Sequence, residues 1–169
     1  MPISLKKYGA SDFYIKNLNS FILLAHAFTG CDTTSRLYNI GKEKILKSAV
    51  LRKACEEAAV VFYSPVSSKN EIALAGQMLL LALYNRKNVA TLDDLRSKIF
   101  MEKVDGINVI KPESLPPTTE AMTHHSYRVY HQVQTWLGNA FPAEDCSWTV
   151  RKFVKILFSQ TSPQHLIIF

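Results

Sequence analysis

The chain has 169 residues, of which 47% are apolar and 20% charged, with 6 Gly and 7 Pro. That length suits one domain burying about two thirds of its unfolded surface, and the composition excludes a disordered or low-complexity chain. Twenty Lys and Arg against fourteen Asp and Glu leave a net charge of +6, which favours an acidic partner such as nucleic acid or a membrane surface.

Cys31, Cys55 and Cys146 are widely spaced, odd in number and without a CxxC pair, so neither a disulfide framework nor a zinc site follows. The opening stretch MPISLKKYGASDFY lacks the continuous apolar run of a signal peptide, and no apolar run approaches ~18 residues. These features point to a reducing compartment, nuclear or cytoplasmic, with no membrane partner.

Residues 12 to 29 read as a helix: Phe13, Leu18, Phe21, Ile22, Leu24, Ala25 and Phe28 recur at three- and four-residue spacing, and Gly30 can stop it. Its second half, FILLAHAF, is apolar nearly all round, as a central helix would be. Asp32 or Thr33 can cap a short helix over Thr34 to Tyr38. NIGKEKILKSA then turns at Gly41 into a helix bearing Lys42, Lys44 and Lys47, which continues over Leu51 to Tyr63 until Pro65 ends it.

Ser68 and Glu71 have the spacing of a capping box for an apolar helix reaching about Tyr84. After the loop NRKNVA, Thr91 opens another helix with acids in its first turn. Residues 105 to 117 are an irregular connector, and Thr118 to Leu137 form one long helix stopped at Gly138. On it Met122, Ser126, Val129, Val133, Trp136 and Leu137 make an inward stripe, while His124, Tyr127, Arg128 and His131 share the other face. The rest is a basic tail, 139–169, whose amphipathic piece WTVRKFVKILF suits docking on the domain better than an acidic membrane. The expected fold is a mainly α domain: a helical segment over 1–104, the connector, the long helix and the tail.

Two blocks carry a resemblance: HAFTGCDTTSRLYNIGKEKIL and LPPTTEAMTHHSYRVYHQVQTWLG. Together, over roughly residues 12 to 138, they resemble a group of transposon-associated animal proteins that combine both motifs in this order. The first block is also similar to a segment of flap endonucleases and XPG-type nucleases of the PIN-like fold. There an apolar helix leads to an aspartate that binds the active-site magnesium ions, followed by a glycine-containing helical turn that grips the phosphate backbone.

The resemblance implies the helical C-terminal half of a PIN-like, flap-endonuclease-type domain plus a helical extension. It assigns Asp32 to a metal and Ile40, Gly41 and Lys42 to the phosphate-gripping turn. Asn39 stands where the family's first glycine falls, and asparagine tolerates the left-handed backbone better than most residues. Two-metal hydrolysis needs several carboxylates to neutralise the cations. Only Asp12 lies upstream of Asp32, and nothing before it reads as a strand, so the parallel-sheet half is expected to be missing.

Between Gly41 and Lys53 the basic residues Lys42, Lys44, Lys47, Arg52 and Lys53 face one acid, Glu43, which suits either a solvated face or phosphate contact. The leading expectation is a DNA-binding, nuclease-like helical fragment working through Ile40, Gly41, Lys42, Lys44, Lys47, Arg52 and Lys53. One alternative is a Mg-dependent, structure-selective nuclease with Asp32 as a metal ligand. Another is a helical interaction module using the 118–138 helix as its contact face.

Asp32 as a simple helix cap, Cys31 as a buried small hydrophobe and His26 as a hydrogen-bonded core histidine are the plainer readings. His124 and His131, seven residues apart, lack further zinc ligands on their helix. Tyr127 and Tyr130 beside Arg128 fit the core better than stacking on bases.

Overall fold

The computed structural model describes residues 21–86, 88–104 and 110–147. Six α-helices and two short 3-10 turns occupy them, and no strand occurs among the described residues. The helices are α1 (Ile22–Phe28), α2 (Lys42–Lys47), α3 (Ala49–Tyr63), α4 (Lys69–Tyr84), α5 (Leu92–Val104) and α6 (Thr119–Trp136). The expected start of the first helix, residues 105–109 of the connector and the basic amphipathic piece lie outside the described residues.

The helices α3, α4, α5 and α6 begin where the sequence supplies a side-chain acceptor for the amides of a first turn, whereas α1 and α2 start after Phe21 and Gly41 without one. Ser68 and Glu71 form the expected capping box: the Glu71 amide donates to Ser68 Oγ at 3.3 Å, and the Ser68 amide donates to Glu71 Oε2 at 2.7 Å. Thr91 Oγ1 accepts from Asp94 N at 3.1 Å, and Thr118 Oγ1 accepts from Ala121 N at 3.2 Å. Asn85, in the left-handed conformation, closes α4.

Two departures from expectation have local causes. The helix after Gly41 does not run on without a break: Ser48 adopts extended dihedrals, ends α2 and caps α3 through Leu51 N at 3.4 Å. Nor does a helix form over Thr34 to Tyr38. Thr34 Oγ1 donates to Ala27 O at 2.6 Å and accepts from Cys31 N at 3.1 Å, folding the loop back onto the end of α1. Leu37 and Ile40 then turn inward as buried anchors, so Asp32 caps nothing and stands in solvent. Gly30 permits the fold-back, with φ at +109°, and a Cβ there would meet Arg36 Cα at 2.8 Å.

The core gathers the inner faces of all six helices around α6. α6 packs most extensively on α4 and also touches α1 and α3, and α3 lies along α4. Leu51, Cys55, Ala58, Ala59 and Phe62 form the inner face of α3 at helical spacing. At the crossing of α4 and α6, Gly76 sits directly against Ser126.

Met122, Ser126, Val129 and Val133 of the expected inner stripe are fully buried. Trp136 and Leu137 are not: they remain 39% and 42% exposed at the end of α6. His125, Tyr130 and Gln134 are buried in their place, and each donates to a carbonyl at the C-terminal end of another helix. His125 Nε2 lies 3.0 Å from Phe28 O, Gln134 Nε2 lies 2.8 Å from Phe62 O and Tyr130 OH lies 2.9 Å from Ser64 O. The last carbonyls of a helix have no intrahelical partner, so α6 closes the ends of α1 and α3 with its own side chains.

Candidate nucleic-acid interface

The Gly41 turn is built from two inward anchors and a left-handed residue. Asn39 has φ at 53°, as the sequence suggests, and it lets the chain reverse between Leu37 and Ile40. Gly41 itself is extended (φ −103°, ψ 165°), and a Cβ there would meet nothing, so neither backbone nor space demands glycine. Ile40 is 3% exposed and its amide donates to Leu37 O at 3.3 Å, so it serves the core and is not an exposed contact.

The basic residues after the turn divide into engaged and available groups. Lys47 pairs with Glu43 at 2.6 Å and Lys53 with Glu57 at 4.0 Å, both on open helix faces where such pairs contribute little. The hydrogen bond from Lys47, together with its charge, lowers the Glu43 carboxyl below its ordinary value. Arg52 Nη1 donates to Leu46 O at 2.5 Å and so closes the end of α2. Lys42 and Lys44 are exposed and form no ion pair among the described residues.

Beside these lysines lies a cleft of about 490 Å³ lined by Arg36, Leu37, Tyr38, Asn39, Ile40, Gly41 and Glu113. Arg36 and the half-exposed Tyr38 give it a cation and an aromatic ring, set against the carboxylate of Glu113.

The two motifs of the sequence meet on one face. His26 of α1 stacks on Trp136 of α6, with ring centroids 5.4 Å apart and planes 5° from parallel. Thr33 Oγ1 donates to Gln132 Oε1 at 2.5 Å, and His125 meets Phe28 edge to face at 5.5 Å. His26 is thus a half-buried stacking residue rather than a hydrogen-bonded core histidine: its Nδ1 is buried and has no hydrogen-bond partner among the described residues. Burial lowers its pKa, the Lys42 charge lowers it further and the Asp32 charge opposes both. Lys42 and Asp32, ten positions apart in the chain, therefore both act on this ring.

Asp32 has no carboxylate cluster around it; among the described residues no group of three or more His, Cys, Asp or Glu could hold a metal ion. Cys31 is half-buried at the loop rather than in the core. Burial alone would raise its thiol, but hydrogen bonds with Thr33 and Thr34 bring it below its ordinary value. Cys55 is the inert core thiol, pushed up to about 12 by burial first and by Glu56 second.

On α6, His124 Nδ1 shares a hydrogen bond with Ser147 Oγ at 2.9 Å, and His131 Nε2 donates to Phe141 O at 3.2 Å. Tyr130 is buried and tilts against Phe141 at 5.8 Å. Much of the face that the sequence offers for a partner is occupied within the chain.

Sequence reasoning missed the role of Trp136 because its spacing continues the inner stripe of α6. The helix ends at that residue, so the indole overhangs the core instead of entering it. Comparison of the chain with protein-family models, with curated proteins and with solved structures finds no match. Among the described residues no helix is long and apolar enough to cross a membrane.

Proposed function

We propose that the chain binds nucleic acid without sequence preference, through Lys42 and Lys44 beside the Arg36 and Tyr38 cleft. The observation that carries this reading is the exposure of both lysines without an ion pair among the described residues, next to a concave surface that adds Arg36. Lys47, Arg52 and Lys53 add positive potential but are engaged with Glu43, Leu46 and Glu57. Neutralising phosphates with lysine releases counterions, which makes such binding salt-dependent. The order of the two sequence motifs supports a transposon-associated, nuclease-like origin. A magnesium nuclease using Asp32 would need carboxylates from outside the described residues.

Fluorescence anisotropy of a labelled forked DNA tests this reading. Two lysine–phosphate contacts predict roughly tenfold weaker binding between ~50 and ~200 mM salt. The Lys42→Ala/Lys44→Ala variant should bind weakly at the lower salt and have a flatter salt dependence. Wild-type affinity in that variant would overturn the assignment.

A further inference from the structure

We propose that the exposed Trp136, backed by His26, seats an unpaired base of a single-stranded nucleic acid whose phosphates run over Lys42 and Lys44. The inference rests on the phosphate-binding reading above and names the form of nucleic acid that this surface takes.

Trp136 is large, apolar and at the end of the central helix, yet 39% of its surface is left in water. Its ring is nonetheless well positioned. The near-parallel His26 ring, with its centroid 5.4 Å away, stacks against the indole and fixes its plane. His26 itself sits on α1 between buried Ala25 and Ala27, which anchors that support in the core.

An aromatic plane held flat at a protein surface is what a base needs for stacking, and every base offers a π-face regardless of its sequence. The bases of a duplex are already stacked and paired, so this plane favours a single strand over a hairpin. The charges suit a backbone passing alongside: Lys42 acts on the supporting His26, Lys44 lies exposed two positions further along α2, and Asp32 is the opposing acid. Asp32 should therefore weaken phosphate binding, the opposite of the part a metal ligand would play.

The test compares a labelled oligothymidine with a hairpin of equal length by anisotropy at ~50 mM salt, where phosphate contacts are strong. The proteins are wild type, Trp136→Ala, Trp136→Phe, Asp32→Asn and Lys42→Ala/Lys44→Ala, each checked for helical content by circular dichroism. Loss of one stacked base should weaken oligothymidine binding by on the order of 5- to 150-fold in Trp136→Ala, leave hairpin binding unchanged and be largely restored in Trp136→Phe. Should Trp136→Ala fail to fold, quenching of Trp136 by the oligonucleotide in a Trp148→Phe background gives the same answer. Asp32→Asn should tighten binding of both ligands.

Equal binding of oligothymidine by wild type and Trp136→Ala, an absence of quenching, or hairpin binding as tight as single-strand binding would overturn the stacking proposal. The phosphate reading would survive if the lysine variant still lost affinity. Binding of neither ligand by the wild type would overturn both.

Discussion

At the scale of single residues, the contact between Gly76 and Ser126 governs how closely α4 and α6 approach. A Cβ on Gly76 would stand 1.9 Å from Ser126 Oγ and 2.9 Å from its Cβ, inside a fully buried interface. Gly76→Ala raises helix propensity yet must push the two helices apart. The expected outcome is a net destabilisation of about 1 to 3 kcal/mol, the usual result of overpacking a core. Chemical denaturation of Gly76→Ala and of Gly76→Ala/Ser126→Gly checks it, and the second variant should recover most of the loss. His125 offers a pH test at the same scale. Burial first of all, with Arg128 adding to it and the Phe28 carbonyl opposing, sets its pKa to about 4, below the 6.5 of an unconstrained imidazole. Between those values the unfolded chain binds the extra proton, so this contribution to stability is complete above pH 6.5 and is lost as pH falls toward 4. Its size is about 3 kcal/mol. Melting temperatures of wild type should fall through that window more steeply than those of His125→Gln, which keeps a donor but does not titrate.

At the scale of elements, α6 acts as a clasp because its buried polar side chains end on carbonyls of α1 and α3. Gln134→Leu leaves the Phe62 carbonyl without its donor and Asn139 Nδ2 without its acceptor, which lies at 2.6 Å. A loss of about 1 to 3 kcal/mol is expected for the stranded groups. Hydrogen exchange should show it as faster opening of the last turn of α3, with α4 little changed at its far end. Much of this layer was legible from residues alone. Ser68 with Glu71, Thr91, Thr118 and Pro65 mark helix ends, because capping is local chemistry and the structure repeats it residue for residue. Ser48 was harder to read: serine is compatible with a helix interior, and it is the extended backbone at Ser48, between the buried Ile45 and Leu51, that breaks the helix there. Asp32 misled for a related reason, since a cap is legible only if a helix follows, and Thr34 diverts the chain before one can start. The partners of His125, Tyr130 and Gln134 lie 66 to 97 positions away, and no local pattern encodes them.

At the scale of the whole molecule, the net charge of +6 pointed toward an acidic partner without saying where one would sit. In the fold Lys47 and Lys53 are paired off and Arg52 holds a carbonyl, which leaves Lys42 and Lys44 exposed beside the Arg36 cleft as the place proposed for one. The salt dependence expected for nucleic-acid binding should therefore follow those two lysines and not the total charge. A control variant that removes two lysines of α5, Lys98→Ala/Lys103→Ala, should retain nearly all of the binding. The clasp made by α6 also has a meaning for synthesis. On a ribosome the ends of α1 and α3 emerge long before residues 125 to 134, and until then the Phe28, Phe62 and Ser64 carbonyls lack their side-chain donors. Contacts that span so much of the chain are slow to close. The nascent protein should stay sensitive to proteases until α6 has left the exit tunnel, and resistance should then appear in one step rather than helix by helix.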